Sequence, residues 1–369
     1  MRCGRRTAGE GGTSHFINPS LRERGAADRS SLEWTGNQSN DCFGQPRSIV
    51  AVGCYASGPD FVLIPALRGN REIVVSDSSP AQRSTPPCGS PLPLLILVVM
   101  KIQSVDLDGQ LIRVGIRRAN SALPPLLIFN GIGANLELLE PFVEALGDVE
   151  VIIFDVPGVG GSPTPRKPYR FSTLCVPTDR LLTEIGYDGP VDVLGVSWGG
   201  ALAQQFARRY PKRCRRLVLA ATTPGVIMFP ARLSVLLKML GPRRYRDPVF
   251  LEKVGAEIYG GAYRRDPQLL KEHGHHIRTP NRRGYIYQLL ALWGWSSLLW
   301  LRRLPQPTLV IHGDDDPIVP LINAKIIAAC VRCSALYVID DGHLFLVTQT
   351  DRVAGLVRDF LQRQAPCQS

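Results

Sequence analysis

Residues 191–207 read VDVLGVSWGGALAQQFA, and this stretch decides the fold. Its first five residues are a near-continuous apolar run, the pattern of a strand buried on both faces. Residues 200–209 then follow the spacing of an amphipathic helix. Between them sits Gly195-Val196-Ser197-Trp198-Gly199, a G-x-S-x-G at a strand-to-helix turn. A serine held at so sharp a turn needs neighbours without side chains, and the helix behind it offers N–H groups to a developing negative charge. In that context Ser197 is the candidate nucleophile, and the N–H of Trp198 a candidate oxyanion donor.

The flanking sequence repeats the same rhythm. Apolar runs at 126–130, 150–155, 216–221, 308–312 and 336–340 alternate with helical patterns, and 351–362 closes the chain as an amphipathic helix. Such alternation predicts an α/β fold: a mostly parallel central sheet with helices on both faces. Residues 105–117 read as two short strands about the turn Asp108-Gly109. One interval breaks the pattern. About 85 residues separate the fourth and fifth parallel strands, more than a crossover needs. We expect a helical cap there, at about 224–305, with Tyr285, Trp293, Trp295 and Trp300 as candidate substrate-facing aromatics.

A serine nucleophile needs a base and an acid, here in the order Ser, Asp, His. His343 follows a strand in the turn Asp341-Gly342-His343 and is the candidate base. His312 ends a strand and reads as structural, His273, His275 and His276 as solvated cap residues, and His15 lies in the N-terminal region. The acid comes from Asp314-Asp315-Asp316, which cannot all face one imidazole. Asp316, before a Pro-flanked apolar step, is the choice, with Asp314 second and Asp340 or Asp341 too near His343 in sequence. After the first parallel strand, Asn130-Gly131-Ile132-Gly133 offers the N–H of Ile132 as the second oxyanion donor.

The chain has 369 residues, 44% apolar and 20% charged, which excludes a disordered, collagenous or disulfide-miniprotein chain. Its net charge of +11 sits mainly in scattered pairs such as Arg208-Arg209 and Arg243-Arg244, a solvated face rather than a nucleic-acid site. Nine cysteines at irregular spacings do not form a disulfide framework. Cys330-x-x-Cys333 has redox or zinc spacing but no second pair, and Gly158 to Ser162 matches neither phosphate-binding fingerprint. No metal or cofactor is expected. The opening residues lack a signal-peptide pattern, and the apolar runs at 91–100 and 288–301 are too short or interrupted to span a bilayer. Residues 1–99 are aperiodic and read as a disordered or misassigned upstream extension, residues 100–365 as the folded domain.

With these residues in view, the chain resembles the α/β-hydrolase superfamily and, more narrowly, intracellular depolymerases of medium-chain-length polyhydroxyalkanoates. The stretches that carry the likeness are FNGIGANLELL (129–139), FDVPGVGGS (154–162), GVSWGGALAQQFA (195–207), IYGGAYRRDP (258–267), GDDDPIVPLIN (313–323) and IDDGHLFL (339–346). The resemblance implies Ser197, Asp316 and His343 as the catalytic set. It also implies hydrolysis of a polyester stored in cytoplasmic granules, with the enzyme at the granule surface. The competing readings are a small-molecule esterase, lipase or C–C hydrolase of the same fold, and a non-catalytic granule-associated protein.

Overall fold

The computed structural model describes residues 100–270 and 280–363, all within the unit Asp60–Ser369. The readings made for residues 1–99 and for His273, His275 and His276 lie outside the described residues.

A hairpin opens the fold. β1 (Lys101–Leu107) and β2 (Gln110–Arg117) pair antiparallel about Asp108 and Gly109, at φ 55° and 83°. These strands begin four residues before the sequence pattern does, because β1 is an edge strand whose partly exposed side chains blur the alternation. The remaining strands are β3 (Leu126–Phe129), β4 (Val151–Phe154), β5 (Val191–Val196), β6 (Cys214–Ala220), β7 (Thr308–Gly313) and β8 (Ser334–Ile339). They form one eight-stranded sheet in the order β1-β2-β4-β3-β5-β6-β7-β8, parallel from β4 onward.

Each central strand feeds two cores, because successive side chains leave a strand on opposite faces. Leu127 and Phe129 of β3 pack on one face against Phe171 and Leu174 of α2 (Phe171–Glu184) and Phe206 of α3 (Trp198–Arg209). Leu126 and Ile128 pack on the other, with Phe142 of α1 (Glu140–Ala145) and Val353, Val357 and Leu361 of the C-terminal helix Thr350–Gln362. The α/β class with both sheet faces covered is therefore as the sequence pattern reads.

Between β6 and β7 the chain forms α4 (Leu233–Met239), α5 (Pro248–Tyr259), α6 (Gly261–Arg265) and α7 (Arg282–Leu292) among the described residues. The two ends of this insert meet at a neck. Gly225 bridges Ser296, Val226 N donates to Trp295 O at 2.9 Å, and Ser297 N donates to Pro224 O at 2.8 Å. After β7 follows α8 (Ile322–Cys330), and after β8 come α9 (Phe345–Thr348) and α10 (Thr350–Gln362).

The Cys330-x-x-Cys333 spacing unites no pair. Cys330 is a free thiol, whereas Cys333 is disulfide-bonded. A disulfide needs two Cβ atoms within about 4.5 Å, a proximity that spacing along the chain does not report. Among the described residues no three His, Cys, Asp or Glu side chains are grouped to hold a metal ion. No helix among them is long and apolar enough to cross a membrane.

Candidate active site

Sheet register brings the motif residues together. β3 and β5 are neighbours, with Phe129 opposite Gly195, so the turn after β3 and the turn after β5 lie side by side at the carboxyl ends of their strands. β7 and β8 are also neighbours, with Gly313 opposite Ile339, which sets the aspartate loop beside the histidine loop. Carboxyl ends of adjacent parallel strands are where this kind of sheet leaves room for a ligand.

Ser197 sits at φ 53° and ψ −115°, between β5 and the first residue of α3. Helix α3 begins at Trp198, two residues earlier than the sequence pattern indicates, because Gly199 and Gly200 weaken a helical signal that the packing restores. A non-glycine residue in the left-handed region costs about 1–3 kcal/mol and persists only where its surroundings enforce it. Here the enforcement is steric. A Cβ on Gly195 would overlap Gly199 O and Gly200 Cα, and one on Gly199 would overlap the carbonyl oxygens of Phe129 and Asn130. The turn closes only with glycine at both places.

His343 Nε2 lies 3.0 Å from Ser197 Oγ, and His343 Nδ1 lies 2.7 Å from Asp316 Oδ2. The other oxygen of Asp316 accepts from the N–H groups of Ile318 and Val319, both at 2.9 Å. That double anchor fixes the carboxylate, and Asp316 and His343 are both buried.

The neighbouring acids have separate duties. Asp314 accepts from Asp341 N at 3.1 Å, tying the two loops. Asp315 accepts from Gly261 N at 2.8 Å, and Asp341 from Ala262 N at 2.8 Å, so both grip the start of α6. Asp340 is exposed and pairs with Arg265. Tyr259 O accepts from His343 N at 2.7 Å, and a Cβ on Gly261 would overlap Gly342 N. The stretch 259–262 of the insert is thus fastened directly to both loops.

His312 is fully buried behind Asp316, with Nε2 2.7 Å from Val319 O. Burial holds its imidazole below the usual histidine range. An Nε2–H there supports the very loop whose N–H groups hold Asp316.

Ile132 lines the cavity together with Ser197, and Trp198 opens the helix that follows the serine. Among the described residues, neither of their N–H groups has a protein acceptor. Gln288 of α7 braces both sides: its side-chain oxygen accepts from Gly133 N at 2.7 Å, and its carbonyl accepts from the Trp198 indole at 2.8 Å. No motif pointed to Gln288, whose role depends on where α7 docks.

A narrow cavity opens beside Ser197 and His343. Its walls are mainly apolar: Ile132, Leu138, Leu139, Ile318, Leu346 and Val347 from the sheet side, with Met239, Arg244, Tyr245 and Tyr259 from the insert. None of the four expected aromatics lines it. Trp293 is 84% exposed. Trp295 packs on Phe171 and donates to Gln205 at 3.0 Å, while Trp300 lies under Arg208. Tyr285 stands behind the wall, donating to Met239 O at 2.6 Å. Trp293 thus faces solvent, Trp295 and Trp300 dock the insert on α2 and α3, and Tyr285 packs within the insert; helical spacing alone does not separate these places from an inward wall. The Gly158 to Ser162 turn is likewise structural, wrapped on the Asp155 carboxylate, which burial pushes above the usual range.

Comparison with known proteins yields three kinds of likeness. The family model described as alpha/beta hydrolase fold matches residues 124–348. A poly(3-hydroxyalkanoate) depolymerase of Ectopseudomonas oleovorans is 53% identical over 263 residues, covering 71% of this chain and 93% of that protein. A 3-oxoadipate enol-lactonase of Acinetobacter baylyi is 24% identical, covering 65% of this chain and 89% of that protein. Among solved structures, a hydrolase from Pseudomonas aeruginosa superposes with a TM-score of 0.61 at 25% identity, over 72% of this chain and 98% of that one. An enol-lactonase from Burkholderia xenovorans gives 0.61 at 20% identity, over 71% and 100%, a likeness of fold alone.

Proposed function

The chain belongs to the α/β-hydrolase family, and from that premise we propose that it cleaves ester bonds of an intracellular medium-chain-length poly(3-hydroxyalkanoate) through Ser197, His343 and Asp316. It is a carboxylic ester hydrolase. The observation that carries the reading is the hydrogen-bonded series Asp316–His343–Ser197 at 2.7 and 3.0 Å, opening on a mainly apolar cavity. The depolymerase 53% identical to this chain supports the polyester as substrate over the small esters that the same site could accept.

In the mechanism, His343 Nδ1–H donates to Asp316, leaving Nε2 to take the Ser197 proton as Oγ attacks the ester carbonyl. The N–H groups of Ile132 and Trp198 receive the oxyanion, braced through Gln288. His343 returns the proton to the departing alkoxide oxygen, and an acyl-enzyme remains. Water, deprotonated by His343, then releases the acid and restores Ser197.

We assign residues 100–365 to one domain, with residues 224–305 as a cap that meets the granule surface in the cytoplasm. Supporting this is a run of apolar side chains left in solvent: Phe229, Leu233, Leu237 and Leu240 around α4 are 56–70% exposed. Exposed apolar surface of this kind marks contact with an apolar partner.

The test is incubation of the purified chain with granules of medium-chain polyester and, in parallel, with p-nitrophenyl octanoate. Release of 3-hydroxyacids from granules, lost about 10⁴-fold or more in Ser197→Ala, is the expected result. Ester turnover with untouched polymer would overturn the polyester, and undiminished turnover in the variant would overturn Ser197.

A further inference from the structure

The cavity beside Ser197 holds a charge that the reaction above does not use. Arg244 lines it and is 2% exposed. Its two terminal nitrogens donate to Tyr285 OH and Tyr245 OH, each at 2.9 Å. Both hydroxyls spend their own protons elsewhere, on Met239 O and Ile132 O, at 2.6 Å each. The guanidinium is therefore solvated by neutral phenols, with the rings of Tyr245 and Tyr285 4.3 and 5.6 Å from it and Tyr259 also against it. No carboxylate pairs with it among the described residues, and its Nε–H is buried with no partner at all.

Two half-buried arginines outside the cavity are paired with acids. Arg113 pairs with Glu137 and Asp155, and Arg215 with Asp192. Arg117 and Arg216, buried like Arg244, donate only to carbonyls and each keeps one unpartnered nitrogen, but neither lines the cavity, where an incoming anion could reach it. A guanidinium cannot shed its charge, so burying one without an anion is costly unless an anion arrives. In a site walled mainly by apolar side chains, the charge selects what enters.

We infer that Arg244 binds the free carboxylate of the polyester's acid end, so that the enzyme removes 3-hydroxyacids one at a time from that end. The inference rests on the ester-hydrolase reading of Ser197. In a poly(3-hydroxyalkanoate) the terminal unit carries its carboxylate one methylene beyond the carbon bearing the ester oxygen. Attack by Ser197 on the last ester forms the Oγ–carbonyl bond and breaks the bond to that oxygen. The oxygen takes the proton from His343, and the hydroxyacid leaves with its carboxylate still on Arg244. The shortened chain, held as acyl-enzyme, is released by water with a new terminal carboxylate, ready for the next cycle. A guanidinium near the leaving group would hold a charged terminus in preference to an internal segment, whose ester oxygens are neutral acceptors.

The experiment compares a linear ester dimer of 3-hydroxyoctanoate, carboxylate free, with its methyl ester, in wild type, Arg244→Lys and Arg244→Met. Each protein's own ratio of kcat/KM for the two is read, so a general loss of activity cancels. Wild type should favour the free acid about tenfold or more, since a charge-assisted bond to a buried partner is being lost. Arg244→Lys should retain a reduced preference, and Arg244→Met should fall to about parity. Should Arg244→Met not fold, 3-hydroxyoctanoate should still inhibit wild type at about tenfold lower concentration than its methyl ester. A wild-type ratio near one, equal inhibition by acid and ester, or a preference that survives in folded Arg244→Met overturns the inference while leaving the hydrolase intact. Failure of wild type on both dimers and on p-nitrophenyl octanoate overturns the hydrolase reading itself.

Discussion

The sheet and the segment inserted between β6 and β7 bury their side chains on different terms. In the sheet, β3 contributes Leu126, Leu127, Ile128 and Phe129, all fully buried, and glycines let backbones touch where the serine turn closes. In the insert, Arg244 is buried among tyrosines without an acid, while leucines of α4 face solvent. The loops of the sheet carry the groups that react, and their geometry is over-determined. The insert supplies part of the cavity wall, a charge and an exposed apolar surface, which under the proposed function would select the substrate. Under the proposed function, the reacting groups and much of the selection thus reside on separate pieces of chain, fastened at 259–262 by Asp315, Asp341 and His343 N and braced through Gln288.

The division is most severely tested in the aspartate loop. Asp316→Asn should lower kcat about 10⁴-fold, by spoiling the histidine tautomer. Asp314→Asn, which keeps an acceptor for Asp341 N, should stay within about threefold by the same assay. Comparable losses in the two would mean that the loop acts as a unit and that no single acid orients His343.

A smaller effect is expected on the insert. Replacing Leu233 and Leu237 together with Ser should weaken binding to polyester granules about tenfold or more, given what burial of each leucine contributes. Hydrolysis of p-nitrophenyl octanoate should be retained, because both side chains lie outside the cavity. Equal granule binding, measured by co-sedimentation, would remove α4 from the polymer-facing surface.

The smallest effect belongs beneath the sheet site. Because burial lowers the His312 pKa, the folded protein leaves it neutral where an unfolded chain takes up a proton. Its contribution to stability is thus complete above about pH 6.5 and declines as pH falls below that, by at most about 1.4 kcal/mol per pH unit. Thermal melts between pH 8 and 5 should show a shallower acid slope in His312→Gln than in wild type. An unchanged slope would show that His312 is not the group responsible.

Legibility followed the same boundary between sheet and insert. Ser197, His343 and the turn at Ile132 were readable because each follows a short apolar strand with a turn residue beside it, a local signal. Asp316 was harder, since three consecutive carboxylates share one loop and only their hydrogen-bond partners distinguish them. That Tyr285, Trp295 and Trp300 pack away from the cavity and Trp293 faces solvent was not legible, because aromatic content says nothing about which side of a helix meets the cavity. Tyr245, Tyr259 and Gln288 went unmarked for the complementary reason, and Arg244, read as part of a solvated face, is instead buried in the cavity wall. Their neighbours at the site lie far away in sequence, as with Gln288 and Gly133.

By itself the sequence determined the alternation of buried strands and helices, the strained serine turn and the candidate nucleophile and base. Periodicity and glycine placement are local properties, and local properties are written in order along a chain. Tertiary structure alone decided which aspartate faces His343, which insert residues wall the cavity and where a buried arginine lacks its counter-ion. Those are matters of proximity between segments tens to more than a hundred residues apart, set when sheet register and the docking of the insert fix distances that no stretch of sequence contains.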